Sequence, residues 1–224
     1  MKSGNMDIYP KYQKGFENGF VYHIINRGIA QKDLFDNYHD YQRFLFSIGF
    51  YLDKKPSSRL SMTSGRDRID MMLNLPQKPL VEILSYCLIP NHFHLLLKQI
   101  VSGGITNFMK RVQNSYTRFY NEKNKRVGTL YQGTFKAVAI KNDEQLLHVS
   151  RYIHLNPYAA RLTDDIEKYQ WSSYQNYLQN NRDRICNPEM ILEIIGSPEK
   201  YKEFVNDYAD YSRSLSDIKS EILE

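Results

Sequence analysis

His92 and His94 stand one residue apart in the segment IPNHFHLLL, residues 89–97. Side chains alternate along a β-strand, so on a strand both imidazoles point to one face and Phe93 to the other. Two imidazoles on one face can hold a metal ion. Pro90-Asn91 before them reads as a turn, and Leu95-Leu96-Leu97 after them continues as a buried strand. A strand end beside a turn suits a divalent ion and a substrate phosphate. A His-x-His pair by itself is more often a loop cap or a core filler than a metal site. A third ligand and a reactive group must therefore come from elsewhere in the chain.

The segment SRYIHLNP, residues 150–157, offers both. If it is helical, Tyr152 and Asn156 stand at i and i+4 and share a face, with His148 on the same stripe. A phenol one turn from an amide fits a nucleophile beside a third metal ligand. Tyrosine forms covalent intermediates, but an ordinary phenol pKa near 10 makes it a weak nucleophile. A divalent ion offsets this by polarising the phosphate. Two imidazoles and one amide oxygen, with open positions for phosphate and water, suit Mg²⁺ or Mn²⁺; two imidazoles also suit Zn²⁺. Tyr116 and Tyr120 are rival nucleophiles among 18 tyrosines. Tyr152 is preferred because an amide follows one turn later and Pro157 then ends the helix. Asn156 equally suits a helix C-terminus. His148 is a ligand, a proton shuttle or a solvent-facing residue, the last being favoured. His154 lies about 200° around the helix from Tyr152 and faces elsewhere.

These groups need a scaffold. Residues 19–27 alternate as a strand that Gly28 ends, and residues 37–52 carry Tyr41, Phe44, Leu45 and Ile48 at helical spacing. Residues 81–88 and 92–99 read as a hairpin. Gly103-Gly104 opens a helix over 105–122, with Phe108, Val112, Tyr116 and Phe119 on one face. A basic loop over 123–128 leads to a strand over 130–140. Asn142 or Asp143 then caps a helix that ends near Asn156, before Pro157. The order β-α-β-β-α-β, followed by a helix, is the split βαβ pattern: an α+β, ferredoxin-like sandwich with an antiparallel sheet and a C-terminal helical extension. The histidines fall on the third strand. The domain reading is a flexible N-terminus over 1–15, a catalytic domain over 16–165 with an insertion at 53–79, and an acidic helical extension over 166–224. Glu189–Ile195 and Glu199–Tyr208 are helices within that extension.

Two cysteines, Cys87 and Cys186, exclude a disulfide framework and a cysteine zinc cluster, and Cys87 reads as a core residue. No signal peptide or membrane-length apolar run is visible, so a cytoplasmic protein without membrane association is expected. Residues 1–165 carry 23 Lys and Arg against 14 Asp and Glu, whereas residues 166–224 carry 7 against 11. A basic front and an acidic tail suggest that the front faces a polyanion, and interleaved aromatic rings suit unstacked bases.

The segments YHIINRGIAQKDLF (22–35), IPNHFHLLLK (89–98), SYTRFYN (115–121), LYQGTFKA (130–137) and RYIHLNPYAARL (151–162) together resemble the REP-associated tyrosine transposases. These belong to the single-tyrosine, insertion-sequence-200-like branch of the HUH nucleases, named for a His-hydrophobic-His motif. The resemblance spans about residues 14–165 in consistent order. It implies His92 and His94 as metal ligands and Tyr152 as nucleophile. Where relatives place a glutamine four residues after the tyrosine, this chain has Asn156, shorter by one methylene. The implied substrate is single-stranded DNA with hairpins, often repetitive palindromes, cut through a 5′-phosphotyrosine intermediate. Arg27, Lys110, Arg111, Arg118, Lys123, Lys125, Arg126 and Lys136 would contact the DNA backbone with salt-sensitive affinity. Gln132 and Lys136 share a strand face from which they would approach the substrate without a catalytic role. The segment 53–79 is a candidate for hairpin contacts. The alternatives are a relaxase-like or replication-initiating nuclease of the same chemistry, and a non-catalytic ferredoxin-like nucleic-acid-binding module. The oligomeric state stays open between homodimer and monomer.

Overall fold

The computed structural model describes residues 15–54, 60, 78–179 and 184–213. The expectations for residues 1–14 and for most of the 53–79 segment lie outside the described residues. A four-stranded sheet is built from β1 (Val21–Arg27), β2 (Val81–Ile89), β3 (His92–Gln99) and β4 (Lys136–Ala139). Its order is β2-β3-β1-β4, and every neighbouring pair is antiparallel. Helix α1 (Tyr38–Leu52) joins β1 to β2, and α2 (Gly104–Lys123) joins β3 to β4. Helix α3 (Asp143–Ala159) follows β4, and the tail adds α4 (Tyr174–Tyr177), α5 (Glu189–Ile195) and α6 (Pro198–Asn206). This is the ferredoxin-like α+β sandwich with a C-terminal helical extension. No helix among the described residues is long and apolar enough to cross a membrane.

Register divides the chemistry between the two faces. On β1 and β3, Tyr22 pairs with Leu97, Ile24 with Leu95 and Asn26 with Phe93. That face packs on α1 and α2: the Phe44 ring lies 5.0 Å from Phe93 and 5.1 Å from Tyr116, centroid to centroid. The apolar stripe of α1 read from the sequence is buried as expected, and Asn37 caps the helix by accepting from the His39 and Asp40 N–H groups. Buried Asp40 sits in this layer with the Lys123 ammonium at 2.6 and 2.8 Å from its oxygens.

The opposite face carries His23, Ile25 and Arg27 beside Leu96, His94 and His92. Helix α3 covers its β2 side, and the tail covers α3 in turn. The His154 Nδ1 lies 2.7 Å from the Tyr201 hydroxyl, which donates to Ser150, and the His154 Nε2 lies 2.9 Å from Ser173 Oγ. The Tyr86 N–H donates to that same Ser173 oxygen, tying α3, the tail and β2 into one buried network. The Arg151 guanidinium lies 4.1 Å from the Phe204 ring centre and 4.2 Å from that of Tyr208. The described part of the acidic extension is thus packed into the main core, with Tyr174, Tyr177, Ile191, Tyr201 and Val205 buried. Cys87 and Cys186 are both buried and free.

Two boundaries differ from the sequence reading. β4 covers only Lys136–Ala139, not 130–140. Residues 130–133 still follow β1, but through single bonds: Leu130 O accepts from Ile29 N–H, Gln132 N–H donates to Arg27 O, and Asn26 Nδ2 donates to Gly133 O. α3 runs through Pro157 to Ala159. Proline forfeits one intrahelical bond in a last turn that is closed by Ala160 N–H to Asn156 O and Leu162 N–H to Pro157 O. The expected cap of this helix is Asn142, which accepts from Gln145 N–H.

A Cβ on Gly28 would collide with the Lys32 carbonyl, whereas one on Gly133 meets nothing within 4 Å. Gly28→Ala is expected to lose roughly 1–3 kcal/mol in urea unfolding and Gly133→Ala almost nothing; equal effects would refute the close approach. Burial lowers the His154 pKa to about 3, so the folded protein holds it neutral while the unfolded chain takes a proton below its ordinary value of 6.5. His154 stabilisation is therefore full above pH 6.5 and lost as pH falls towards 3, by roughly 2 kcal/mol at pH 5. Urea titrations at pH 7 and pH 5 on the native chain and on His154→Gln should show a smaller fall in the variant.

Candidate active site

The site begins at the β2–β3 turn. Pro90 O accepts from Leu34 N–H at 2.7 Å and Phe35 N–H at 3.1 Å, and Asn91 O accepts from Gly28 N–H at 2.9 Å. The segment after β1 thus clamps the turn and fixes where β3 starts. The Asn91 side-chain oxygen lies 2.7 Å from His92 Nδ1. An amide oxygen only accepts, so His92 Nδ1 carries the proton and Nε2 presents a lone pair. His94, on the same face, has its Nδ1 3.0 Å from His23 Nε2, and its own Nε2 is buried without a hydrogen-bond partner.

α3 brings the phenol. The Tyr152 ring lies 5.4 Å from His94 and 6.1 Å from His23, edge-on to both. Tyr152 is 50 % exposed although Ile153, His154 and Leu155 after it are buried. Tyr152, His92, His94, Arg27 and Lys136 line one cleft of about 450 Å³, with Ile25, Asn26, Gln132, Gly133 and Thr134 completing the wall. Arg27 pairs with His92 across β1–β3, and Lys136 pairs with Ile25 across β1–β4. All three imidazoles are held neutral. Burial lowers His23 to about 4. Burial and then the Arg27 charge lower His92 to about 4. His94 is pushed well below the ordinary value by burial first, then by the neighbouring His23, His92 and Arg27. Neutral imidazoles can donate lone pairs to a metal.

Six residues singled out from the sequence, His92, His94, Tyr152, Arg27, Gln132 and Lys136, therefore meet in one cleft, although Gln132 lies before β4 and not on it. Asn156 does not line it; one turn after Tyr152, it is half-buried and its backbone carbonyl accepts from Ala160. Lys110, Arg111, Arg118 and Lys123 lie on α2, which packs on the other face of the sheet, and Lys125 and Arg126 follow it. Lys123 is engaged by Asp40, Arg118 pairs with Glu122, Arg111 donates to Lys54 O, and Arg126 donates to Thr129 O. Tyr116 and Tyr120 are on α2 as well; Tyr116 is fully buried, and burial drives its phenol far above the ordinary range. His148 faces outward, its Nδ1 2.8 Å from Arg151.

Sequence reasoning missed His23, Asn26 and Thr134. Alternation places His23 on the Arg27 face, but only the β1–β3 register sets it diagonally behind His94. Asn26 braces the cleft wall, donating to Gly133 O and accepting from Arg27 N–H.

The donor set fits a divalent ion at the two Nε2 atoms, because His94 Nε2 is a buried polar atom with nothing to bond. No group of three or more His, Cys, Asp or Glu that could hold a metal occurs among the described residues. The remaining positions would fall to amide or hydroxyl oxygens, water and substrate phosphate.

The family described as "Transposase IS200 like" matches residues 18–156, from just before β1 through His92, His94 and Tyr152 to Asn156. A solved structure, that of a REP-associated tyrosine transposase bound to a REP hairpin, shares the fold with a TM-score of 0.55 at 15 % identity, covering 79 % of this chain and 89 % of that one. No protein with a curated description matches the chain. With the family match covering well over half of its length, the chain belongs to the IS200-like transposases.

Proposed function

We propose that this transposase is a metal-dependent single-strand DNA endonuclease and strand transferase that cuts beside hairpins through Tyr152. One observation carries the reading: the Tyr152 phenol meets the His94 face in a cleft walled by Arg27 and Lys136. Arg27 and Lys136 hold a DNA phosphate by charge. His92 and His94, through Nε2, would hold a Mg²⁺ or Mn²⁺ ion, which supplies polarisation of the scissile phosphate when bound. The Tyr152 oxygen attacks phosphorus and the P–O3′ bond breaks; the phenol proton passes to water at the open mouth of the cleft, and the leaving 3′-oxygen takes a proton from water in return. The product is a 5′-phosphotyrosine and a free 3′-OH. Attack by another 3′-OH reverses the step and joins strands without a nucleotide cofactor. Hairpin DNA as substrate is supported by the fold neighbour, which is bound to a REP hairpin.

Incubation with a hairpin-bearing single-stranded oligonucleotide and Mg²⁺ or Mn²⁺ should give a denaturation-resistant protein–DNA adduct. Tyr152→Phe and chelation should each reduce it by roughly a hundred-fold or more. An adduct that survives Tyr152→Phe but is lost in Tyr116→Phe would overturn the assignment. Hairpin binding with no adduct under any metal would instead support a non-catalytic binding module. Placement of the basic residues yields a separate test. Arg27→Ala and Lys136→Ala should each flatten the slope of log affinity against log salt by about 0.7, the increment for one single-strand phosphate contact. Lys110→Ala and Arg118→Ala, on the far face, should leave it unchanged; the reverse pattern would place the DNA across α2.

A further inference from the structure

We propose that His23 is the positioning residue behind His94, accepting the His94 Nδ1–H and so holding that ring in the tautomer whose Nε2 lone pair faces the cleft. The inference rests on the reading of His94 as a metal ligand and goes one layer deeper.

The geometry excludes a simpler role. His23 is 6 % exposed and is not part of the cleft wall, so it is not a third ligand facing the same point as His92 and His94. Its Nε2 is spent on His94 Nδ1 at 3.0 Å, and the two rings lie 24° from parallel. Both rings are buried, His23 at 6 % and His94 at 2 % exposed. Two bare lone pairs or two N–H groups facing each other at that distance would repel, so one proton lies between the rings.

That proton has two homes. On His23 Nε2, it would force the His94 proton onto Nε2, leaving a buried N–H with no acceptor inside the field of the Arg27 charge. On His94 Nδ1, it leaves Nε2 with a lone pair in the field of the Arg27 cation. The second arrangement removes an unsatisfied buried donor and replaces a repulsion with an attraction. It is also the arrangement in which His94 can ligate a metal. His92 reaches the same state by a different device, because Asn91 accepts its Nδ1 proton. Each candidate ligand thus has its own acceptor behind it, one an amide and one an imidazole. Outer acceptors of this kind fix ring orientation and tautomer, and their removal typically costs about 10–100-fold in metal affinity.

The test uses the full chain with ¹⁵N-labelled histidine. Long-range ¹H–¹⁵N spectra without metal should show His94 protonated at Nδ1 and bare at Nε2. In His23→Gln the amide oxygen can still accept, so the pattern should persist and Mn²⁺ affinity should stay within about threefold of native. In His23→Phe, with folding checked by circular dichroism, His94 should move towards the Nε2–H tautomer and Mn²⁺ should bind about 10–100-fold more weakly. If His23→Phe fails to fold, His23→Asn, too short to reach, takes its place with the same expected losses. A native spectrum with His94 protonated at Nε2, or a His23→Phe protein with native spectrum and native Mn²⁺ affinity, overturns the proposal. A native protein that binds no Mn²⁺ yet shows the Nδ1–H pattern overturns the metal-dependent function and leaves the positioning role standing.

Discussion

The antiparallel register of β1 against β3 is the constraint from which the site follows. It sets Arg27 opposite His92, Ile25 opposite His94 and His23 opposite Leu96. A slip of one residue would turn every β1 side chain to the other face, exchanging His23 and Arg27 for Tyr22 and Asn26. The cleft would then lose one of its cations and the imidazole behind His94. The helix face would gain a histidine where Ile24 packs. Both faces of the sheet are covered, so both oppose the slip. The register is held at its far end by Gln99, a buried amide that donates to Phe16 O while its oxygen accepts from Ile105 N–H at the start of α2.

The sheet can place imidazoles but cannot place the phenol, which arrives on a separate helix. A helix lying on a sheet can roll about its axis unless something holds its other side. Here the tail does that. His154 and Ser150, each two residues from Tyr152, both contact the Tyr201 hydroxyl, while Arg151 lies over Phe204 and Tyr208. Rotating α3 would break a fully buried polar network whose members have no water to turn to. Tyr152 can therefore stay half exposed and still be held in place, because its neighbours carry the packing. The acidic extension, separate from the catalytic region by composition, is joined to it by contact.

Much of this was legible in the chain, and the failures have physical causes. α1 follows hydrophobic periodicity because it has one apolar stripe, and β2 and β3 are legible as short, nearly continuous buried runs on either side of Pro90-Asn91. β4 was overextended because LYQGTFKAVAI keeps a strand-like composition where the backbone is held by single bonds to β1 in place of a ladder. α3 outran its proline because a missing donor matters little in a last turn. Within the site, His92, His94 and Tyr152 were found through local spacing and resemblance. His23 was not, since it depends on a pairing across 71 positions of sequence. Asn156 stands one turn after Tyr152 on α3, as its spacing requires, outside the residues that line the cleft.

Charge shows the same gap between composition and placement. A basic front part implies a polyanion, yet several of its cations are committed within the protein. Lys123 neutralises the buried Asp40, and Arg118 meets Glu122 on its own helix. The two cations in the cleft wall, Arg27 and Lys136, count for more than their number, because they act where water is partly excluded. Arg27 does two things there at once. It puts a fixed positive charge in the cleft wall, and it adds to the burial that keeps His92 and His94 neutral. A carboxylate in its place would draw protons onto both rings and repel the substrate. A cleft built from neutral imidazoles beside fixed cations keeps its lone pairs available while remaining attractive to an anion; burial does most to keep the rings neutral, and the arginine at the end of β1 adds to both properties.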